Sequence, residues 1–381
     1  MTDKYGPNSD FVQSLGKDIE AFIKGDREQP EVDKKYNELA LRLFEYQYNA
    51  NPIYQKYCDK CGIKPGTIDS WERIPAVPTS AFKEVEFRTF PAEDTVQFLT
   101  SSGTGDPNKR SKVYLNELGL KLADLSLQSA IGMGLYNSPD EKLHALLLGP
   151  DPELSPETAF VVRGLIQVVE GHYIGKPEFF IKPTGFDIPR LTERLREAEK
   201  TGEPVVIAGA TFGFVHLFDY FESQGISFKL PAGSRIFDGG GNKGKSREIS
   251  RDDYHKLAEK ILGIPPHHHV NVYGMVELHG GFTDNAFYNH RKGINEPRYR
   301  LIPHWSRVRV VDPDTLEPLP KGKQGLLRLN WLGNMMSVQA IQSDDIGVEI
   351  GSGFDIIGRA KGAEARGCSI SMDELLSAQK A

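Results

Sequence analysis

The 381-residue chain holds little cysteine, no long apolar run and no excess of positive charge, and each shortage removes a class of function. Three cysteines, Cys58, Cys61 and Cys368, are too few for a disulfide framework, so a reducing, cytoplasmic setting is expected. The Cys58-x-x-Cys61 spacing has no second cysteine pair for zinc and no strand-turn-helix frame of redox type. It reads as two inert, partly buried thiols. No segment approaches the roughly 20 apolar residues that span a bilayer, and no charged start precedes an apolar run, so neither membrane insertion nor a signal peptide is expected. The net charge of −6, from 46 basic and 52 acidic side chains, leaves no electrostatic footprint for nucleic acid or an anionic surface. Internal repeats and low-complexity tracts are absent too.

What remains is an ordinary globular composition, 39% apolar and 26% charged, in a chain long enough for one large α/β unit with appendages or for two domains. Residues 1–90 read as a helical region leading into the core. Leu39, Leu41, Leu43, Phe44 and Tyr48 recur near helical intervals, Asn51-Pro52 punctuates, and Pro75 and Pro78 break up the stretch that follows. Residues 91–300 read as an α/β core, 301–353 as a small β-rich subdomain, and 354–381 as a short tail. In the β-rich part, Arg307–Val311 and Gly325–Asn330 are the expected strands, separated by turn-rich Asp312-Pro313 and Lys321-Gly322.

The middle of the chain carries the clearest pattern. Val205–Ala208 reads as a buried strand ending at Gly209. A helix with Phe214, Leu217, Phe218 and Phe221 on its inner face follows and stops at Gly225. Arg235–Asp238 is a second strand, running into Gly239-Gly240-Gly241. Ser250 caps the next helix, with Asp253 at the third position as a short-acid capping box, and Gly263 closes it. His269–Val272 is a third strand, followed by Tyr273-Gly274. Strand, helix, strand, helix, strand predicts parallel sheet flanked by helices, with ligands beyond the carboxyl ends of the strands. The three histidines His267–His269, read as extended, point in alternating directions and are not taken as a metal site. His279 is a candidate pocket residue. Phe212, Phe214 and Met275 are candidates either for an acid pocket or for the core.

Two loops are rich in anion-binding groups. Thr100-Ser101-Ser102-Gly103-Thr104-Gly105 follows the extended run Val96–Leu99 with a density of hydroxyls and close-approaching amides, and Lys109 and Arg110 add charge. Gly239 to Ser246 matches the pattern of a P-loop, but the helix cap at Ser250 comes too late for helix amides to face a phosphate.

Four segments in this order, Thr100–Gly105, Tyr273-Gly274-Met275-Val276-Glu277, Ser343-Asp344-Asp345-Ile346-Gly347 and Gly358-Arg359-Ala360-Lys361, resemble the acyl-adenylate-forming superfamily. The run Pro75 to Lys83, the doubled serine, Gly239–Gly241 and the ending Gly367-Cys368-Ser369-Ile370 are more closely similar to the acyl-protein synthetases of bacterial bioluminescence and their non-luminous relatives. The resemblance implies an adenylate-forming N-terminal-domain fold of parallel sheets and helices with a small antiparallel subdomain, its large mobile C-terminal domain missing or reduced to a tail. It also implies that ATP and a fatty acid give a bound acyl-AMP, whose acyl group passes to a thiol for a partner acyl reductase. Ser101, Ser102, Gly103, Thr104, Gly105 and Lys109 would hold the phosphates, and Gly239, Gly240, Gly241, Tyr273 and Gly274 the adenine. Asp345 and Arg359 would meet the ribose and phosphate, and Glu277 would hold Mg²⁺. Cys368 would accept the acyl group; separately, the basic Arg359, Lys361 and Arg366, close to it in sequence, would favour its thiolate if they fold near it. Asp344 and Asp345 are expected on opposite faces, so that one of them reaches the ligand.

Three readings compete with that one: an acid–CoA ligase for a fatty or aryl acid with a structural Cys368, a non-catalytic nucleotide-binding subunit, and a P-loop phosphotransferase. The sequence leaves open the identity of the acid and whether the chain forms a homo-oligomer.

Overall fold

A computed structural model describes residues 4–101, 110–151, 160–240 and 246–360. The chain divides into two compact units, one of Met1–Ser129, Met275–Gly280 and Leu301–Ala381, the other of Ala130–Gly274 and Gly281–Arg300.

The first unit opens with three helices whose ends the sequence marks. Ser9 caps Asp10–Lys24 by accepting the Val12 N–H, and the helix buries Val12, Leu15, Ile19 and Phe22. In Val32–Ala50 the buried face runs through Tyr36, Leu39, Leu43 and Phe44, while Leu41 is only half-buried. Asn51 closes that helix and starts Pro52–Lys60, its side chain accepting from the N–H groups of Ile53 and Tyr54. Cys58, on this helix, is buried, and burial pushes its thiol well above the ordinary range; Cys61 follows the helix and is exposed. A protonated buried thiol fits the inert role expected of Cys58.

The same unit contains a five-stranded sheet. Ala340–Ile350 pairs antiparallel with Gln324–Trp331 and with Gly353–Arg359, Ser306–Val311 pairs antiparallel with Gln324–Trp331, and the short Val77–Pro78 runs parallel to Ala340–Ile350. Both strands expected between 301 and 353 are therefore present. A further strand, Gly353–Arg359, occupies the start of the segment that reads as a tail. Gln97–Thr100 and Lys112–Leu115 form a separate antiparallel hairpin.

The second unit is organised by a seven-stranded sheet in the order Gly280–Thr283, His269–Met275, Arg235–Gly239, Val205–Ala210, His144–Pro150, Glu178–Lys182 and Gly185–Phe186. Its central strands are parallel, as the strand-helix alternation predicts. Thr211–Ser223 buries Phe214, Leu217, Phe218 and Phe221 beside Arg251–Leu262, which contributes Tyr254, Ala258, Ile261 and Leu262. Fully burying a side chain of this size stabilises by roughly 1.5–3 kcal/mol before chain entropy is counted. Phe214 is fully buried in this core, which settles its packing role. Ser250 accepts the Asp253 N–H at 3.1 Å, and its hydroxyl donates to the Asp253 carboxylate at 2.8 Å, so the capping pair is a hydroxyl–carboxylate bond rather than the reciprocal backbone bond of a full box. Gly263, at φ +71°, ends the helix in the left-handed region. Among the described residues no helix is long and apolar enough to cross a membrane.

Candidate active site

In the first unit the described ends of the Ser/Thr/Gly-rich loop are tied together. Ser101 N–H donates to the Ser111 carbonyl at 3.0 Å, and Ser111 N–H donates to Ser101 Oγ at 3.2 Å. The Ser111 hydroxyl in turn hydrogen-bonds the Glu277 carboxylate. Ser102, Gly103, Thr104, Gly105 and Lys109 lie outside the described residues.

Glu277 is buried, with 8% of its surface exposed. Desolvation raises its pKa above the ordinary carboxylate value, and the Ser111 hydroxyl and the positive charges of Lys83 and Arg359 only partly counter it. The turn that aims it inward is built with care. His279 N–H donates to the Val276 carbonyl at 3.1 Å, His279 itself sits at φ +54°, and Asn334 Nδ2 donates to the Glu277 carbonyl at 2.9 Å. Gly280 then lies flat on the Trp331 ring, where a Cβ would come within 2.5 Å of Cε2. Only glycine allows that approach.

The third motif meets the fourth in the same unit. Arg359 reaches Asp344 Oδ2 at 3.5 Å through one guanidinium nitrogen and Asp345 Oδ1 at 4.0 Å through another. The alternation expected for these two aspartates therefore does not separate them. Both carboxylates fall within reach of one long, exposed guanidinium at the end of the paired strand, and the pairing shifts register only beyond them, between Ile346 and Gly347. The Thr79 hydroxyl also donates to Asp344 at 3.5 Å. Thr79 begins the 3-10 turn Thr79–Lys83, so the Pro75-to-Lys83 segment comes to the same part of the unit.

Ser101 is thus linked to Glu277 through Ser111, while Arg359 pairs with Asp345 and, with Lys83, contributes positive charge to Glu277. Neither Ser111 nor Lys83 is marked as a site residue by the sequence. Lys83 lies inside a motif that carries the family resemblance, and that was the available signal. Ser111 gave none.

In the second unit, the strand Arg235–Gly239 carries the fully buried Asp238 just before its last residue, and Gly240 follows it. Its carboxylate accepts from the Thr211 hydroxyl at 2.6 Å, Arg251 Nη1 at 3.0 Å and Asn271 Nδ2 at 3.1 Å. Burial alone would raise its pKa, but the Arg251 charge and these three donors outweigh burial and hold it below the ordinary carboxylate value. The network fixes the carboxyl ends of the neighbouring strands, where Gly239 abuts Val272 and Tyr273 stacks near Phe282 at a centroid distance of 6.3 Å. Gly274 and Gly240 are exposed, the latter at φ +75°. Gly241, Lys361 and Cys368 lie outside the described residues, as does the centre of the P-loop-like stretch.

The histidine run departs from expectation. Pro266–His268 is a 3-10 turn, so the rings do not alternate as in a strand, and His267 and His268 gather with His290 while His269 turns inward to the Ile264 carbonyl.

Chemically, the first unit offers a buried carboxylate of raised pKa beside positive side chains and a hydroxyl-rich loop base. A carboxylate that burial penalises when charged is a setting a hard divalent cation would relieve, so Glu277 fits the Mg²⁺ that the family resemblance implies.

Residues 20–377 match the family described as acyl-protein synthetase, LuxE. A long-chain-fatty-acid–luciferin-component ligase of Aliivibrio fischeri is 25% identical over 363 residues, 92% of this chain and 90% of that protein. A phenylacetate–coenzyme A ligase of Thermus thermophilus is 25% identical over 305 residues, 75% of this chain and 58% of that protein. The crystal structure of an open conformation of a 2-hydroxyisobutyryl-CoA ligase, in complex with 2-HIB-AMP and CoA, superposes with a TM-score of 0.60 over 88% of this chain and 79% of that one. At 13% identity this likeness shows the fold, and it is the α/β adenylate-forming fold that the four segments imply.

Proposed function

The chain belongs to the LuxE acyl-protein synthetase family, and from that premise we propose that it activates an apolar carboxylic acid with ATP and hands the acyl group to a thiol. In the first step the substrate carboxylate oxygen attacks the α-phosphorus of ATP. The bond from that phosphorus to the bridging oxygen breaks, and pyrophosphate leaves with the electron pair. In the second step a thiolate attacks the acyl carbonyl carbon, a thioester forms and AMP departs.

No protein nucleophile is needed for adenylation, because the carboxylate already is one. The chain's task is to bring two anions together and hold them in line. The observation that carries the reading is the link from the Ser101–Ser111 loop base to buried Glu277, with Lys83 and Arg359 supplying positive charge to it. In this reading Ser101, Ser102, Gly103, Thr104, Gly105 and Lys109 meet the phosphates, and Asp345 accepts from the ribose hydroxyls with Arg359 orienting it. Gly239, Gly240, Gly241, Tyr273 and Gly274 serve the adenine. Glu277 would hold Mg²⁺, which when bound supplies Lewis-acid neutralisation of phosphate charge.

The acceptor thiol has two candidates. Coenzyme A is favoured by the likeness to the phenylacetate–coenzyme A ligase, and the known structures of this fold include CoA ligases. Cys368, with Lys361 close in sequence, is favoured by the family description of an acyl-protein synthetase, and a partner acyl reductase would then consume the protein-bound acyl group.

Labelled acid, ATP and magnesium, with and without coenzyme A, separate the two. Soluble acyl-CoA with an unlabelled protein supports the first. Hydroxylamine-sensitive label on the denatured protein that disappears in Cys368→Ala supports the second. Absence of both products with every acid in a fatty and aryl panel overturns the thiol-transfer reading.

A further inference from the structure

We propose that His267, His268 and His290 form a binding site for a late first-row divalent metal ion, Zn²⁺ being the representative. The site lies wholly in the second unit and uses none of the residues assigned to adenylation. His267 and His268 come from the 3-10 turn Pro266–His268, and His290 comes from the last turn of the helix Ala286–Lys292.

One ring nitrogen from each residue can be chosen so that all three lie within 4.8 Å of one another. A tetrahedral zinc ion with bonds of about 2.0–2.1 Å sets its nitrogens about 3.3 Å apart, so the rings must close by an ångström or so. His290, the ring best placed to turn inward, is exposed. His267 and His290 already lie face to face at a centroid distance of 3.9 Å, and His268 is 4.7 Å from His267.

The support around the rings is that of a ligand set. Nδ1 of His268 lies 3.1 Å from the Ser234 carbonyl, which fixes the tautomer with the proton on Nδ1 and leaves the Nε2 lone pair for a metal. The backbone of the turn is held as well. Arg298 donates to the Pro266 carbonyl at 2.7 Å and to the His269 carbonyl at 2.9 Å.

Three imidazoles and no carboxylate select Zn²⁺, Cu²⁺ or Ni²⁺ over Mg²⁺ or Ca²⁺. The fourth position would be water. The site lies at the amino end of His269–Met275, and Tyr273 is four residues along that strand, about 13 Å away at about 3.3 Å per residue. Ligands of parallel sheets bind at the opposite, carboxyl end. The ion therefore acts as a clip between the turn and the helix, and the adenylation chemistry does not pass through it.

The test uses the full chain without an affinity tag, stripped with chelator and titrated with Co²⁺ and Zn²⁺. The expected result is one Co²⁺ per chain with the intense visible absorption of a tetrahedral ion, displaced by Zn²⁺, together with a zinc-dependent rise in Tm. Exposed His290→Ala and, separately, His267→Gln should each weaken binding by at least about 10-fold, with circular dichroism unchanged. Equal metal affinity in the parent and in folded His290→Ala would overturn the proposal, as would no binding below millimolar metal. Either result would mean that the rings only stack.

Discussion

Glu277→Gln is expected to raise stability and abolish function together. The side chain is 8% exposed and its pKa is raised, chiefly by desolvation. The unfolded chain titrates near the ordinary value of 4.5, and the folded chain titrates higher. Between those two values the folded state binds more protons, so the contribution of Glu277 to stability falls as pH rises through that window, and the full penalty is present above it. Glutamine removes the charge and keeps the shape. Burying an ion costs several kcal/mol, and the Ser111 hydroxyl, Lys83 and Arg359 offset much of that, so at pH 7 the variant should gain about 1–2 kcal/mol, a few degrees in Tm. The two proteins should converge below pH 4.5, where both side chains are neutral. If Glu277 holds the metal, exchange of pyrophosphate into ATP should fall by about 100-fold or more. Thermal melts from pH 4 to 8 and exchange assays at saturating magnesium give both readings. Parental exchange by the variant would remove Glu277 from the mechanism, and parallel stability curves at every pH would refute the burial argument.

Gly280→Ala should cost about 1–3 kcal/mol, because the new Cβ meets three Trp331 ring atoms at 2.5–2.8 Å and that ring is fully buried. It should also slow exchange by moving the Glu277 turn, and a variant with parental Tm would show that the ring yields. Asp238→Asn should cost about 2–4 kcal/mol in urea unfolding at pH 7, below the usual figure for a broken buried pair because the Arg251 side chain is 40% exposed. The folded pKa of Asp238 lies below 3.8, so this stabilisation is fully present above pH 3.8 and is lost as pH falls through the lower folded value; the gap between parent and variant should hold from neutral pH down to about 4 and narrow only below it. Asp345→Asn should raise the KM for ATP by about 10-fold with a smaller effect on kcat, the signature of a lost ribose hydrogen bond; an unchanged KM would take Asp345 out of the site.

Much of the second unit could be read from the chain. Period and punctuation are local, so Val205–Ala210, Arg235–Gly239 and His269–Met275, with Ser250 and Gly263 between the last two, announce a parallel sheet without knowledge of any contact. The site in the first unit was legible only as separate motifs. That Ser111 bonds Glu277, or that Gly280 must be glycine because Trp331 lies against it, depends on contacts between distant parts of the sequence that no local pattern encodes. The two aspartates show a finer limit. Alternation sorts side chains by strand face, but a long guanidinium such as that of Arg359 can reach carboxylates of two successive residues. The histidines show a related limit: Pro265-Pro266 leads into a 3-10 turn rather than an extended segment, yet His267–His269 still do not converge, because His269 turns to the Ile264 carbonyl.

The domain boundaries illustrate the same point at larger scale. Met275–Gly280 belongs to the first unit although the residues on either side belong to the second, and so the Tyr273-to-Glu277 motif is divided between them. Nothing in its composition marks that crossing.

Acid-dependent exchange of labelled pyrophosphate into ATP is the most direct test of adenylate formation, because it reads the first half-reaction without any acceptor thiol. Incorporation that requires both magnesium and a fatty or aryl acid, accompanied by a hydroxylamine-trappable acyl-AMP, is the predicted result. Tight ATP binding with no exchange across the whole acid panel would contradict it and leave a nucleotide-binding protein that does not activate acids.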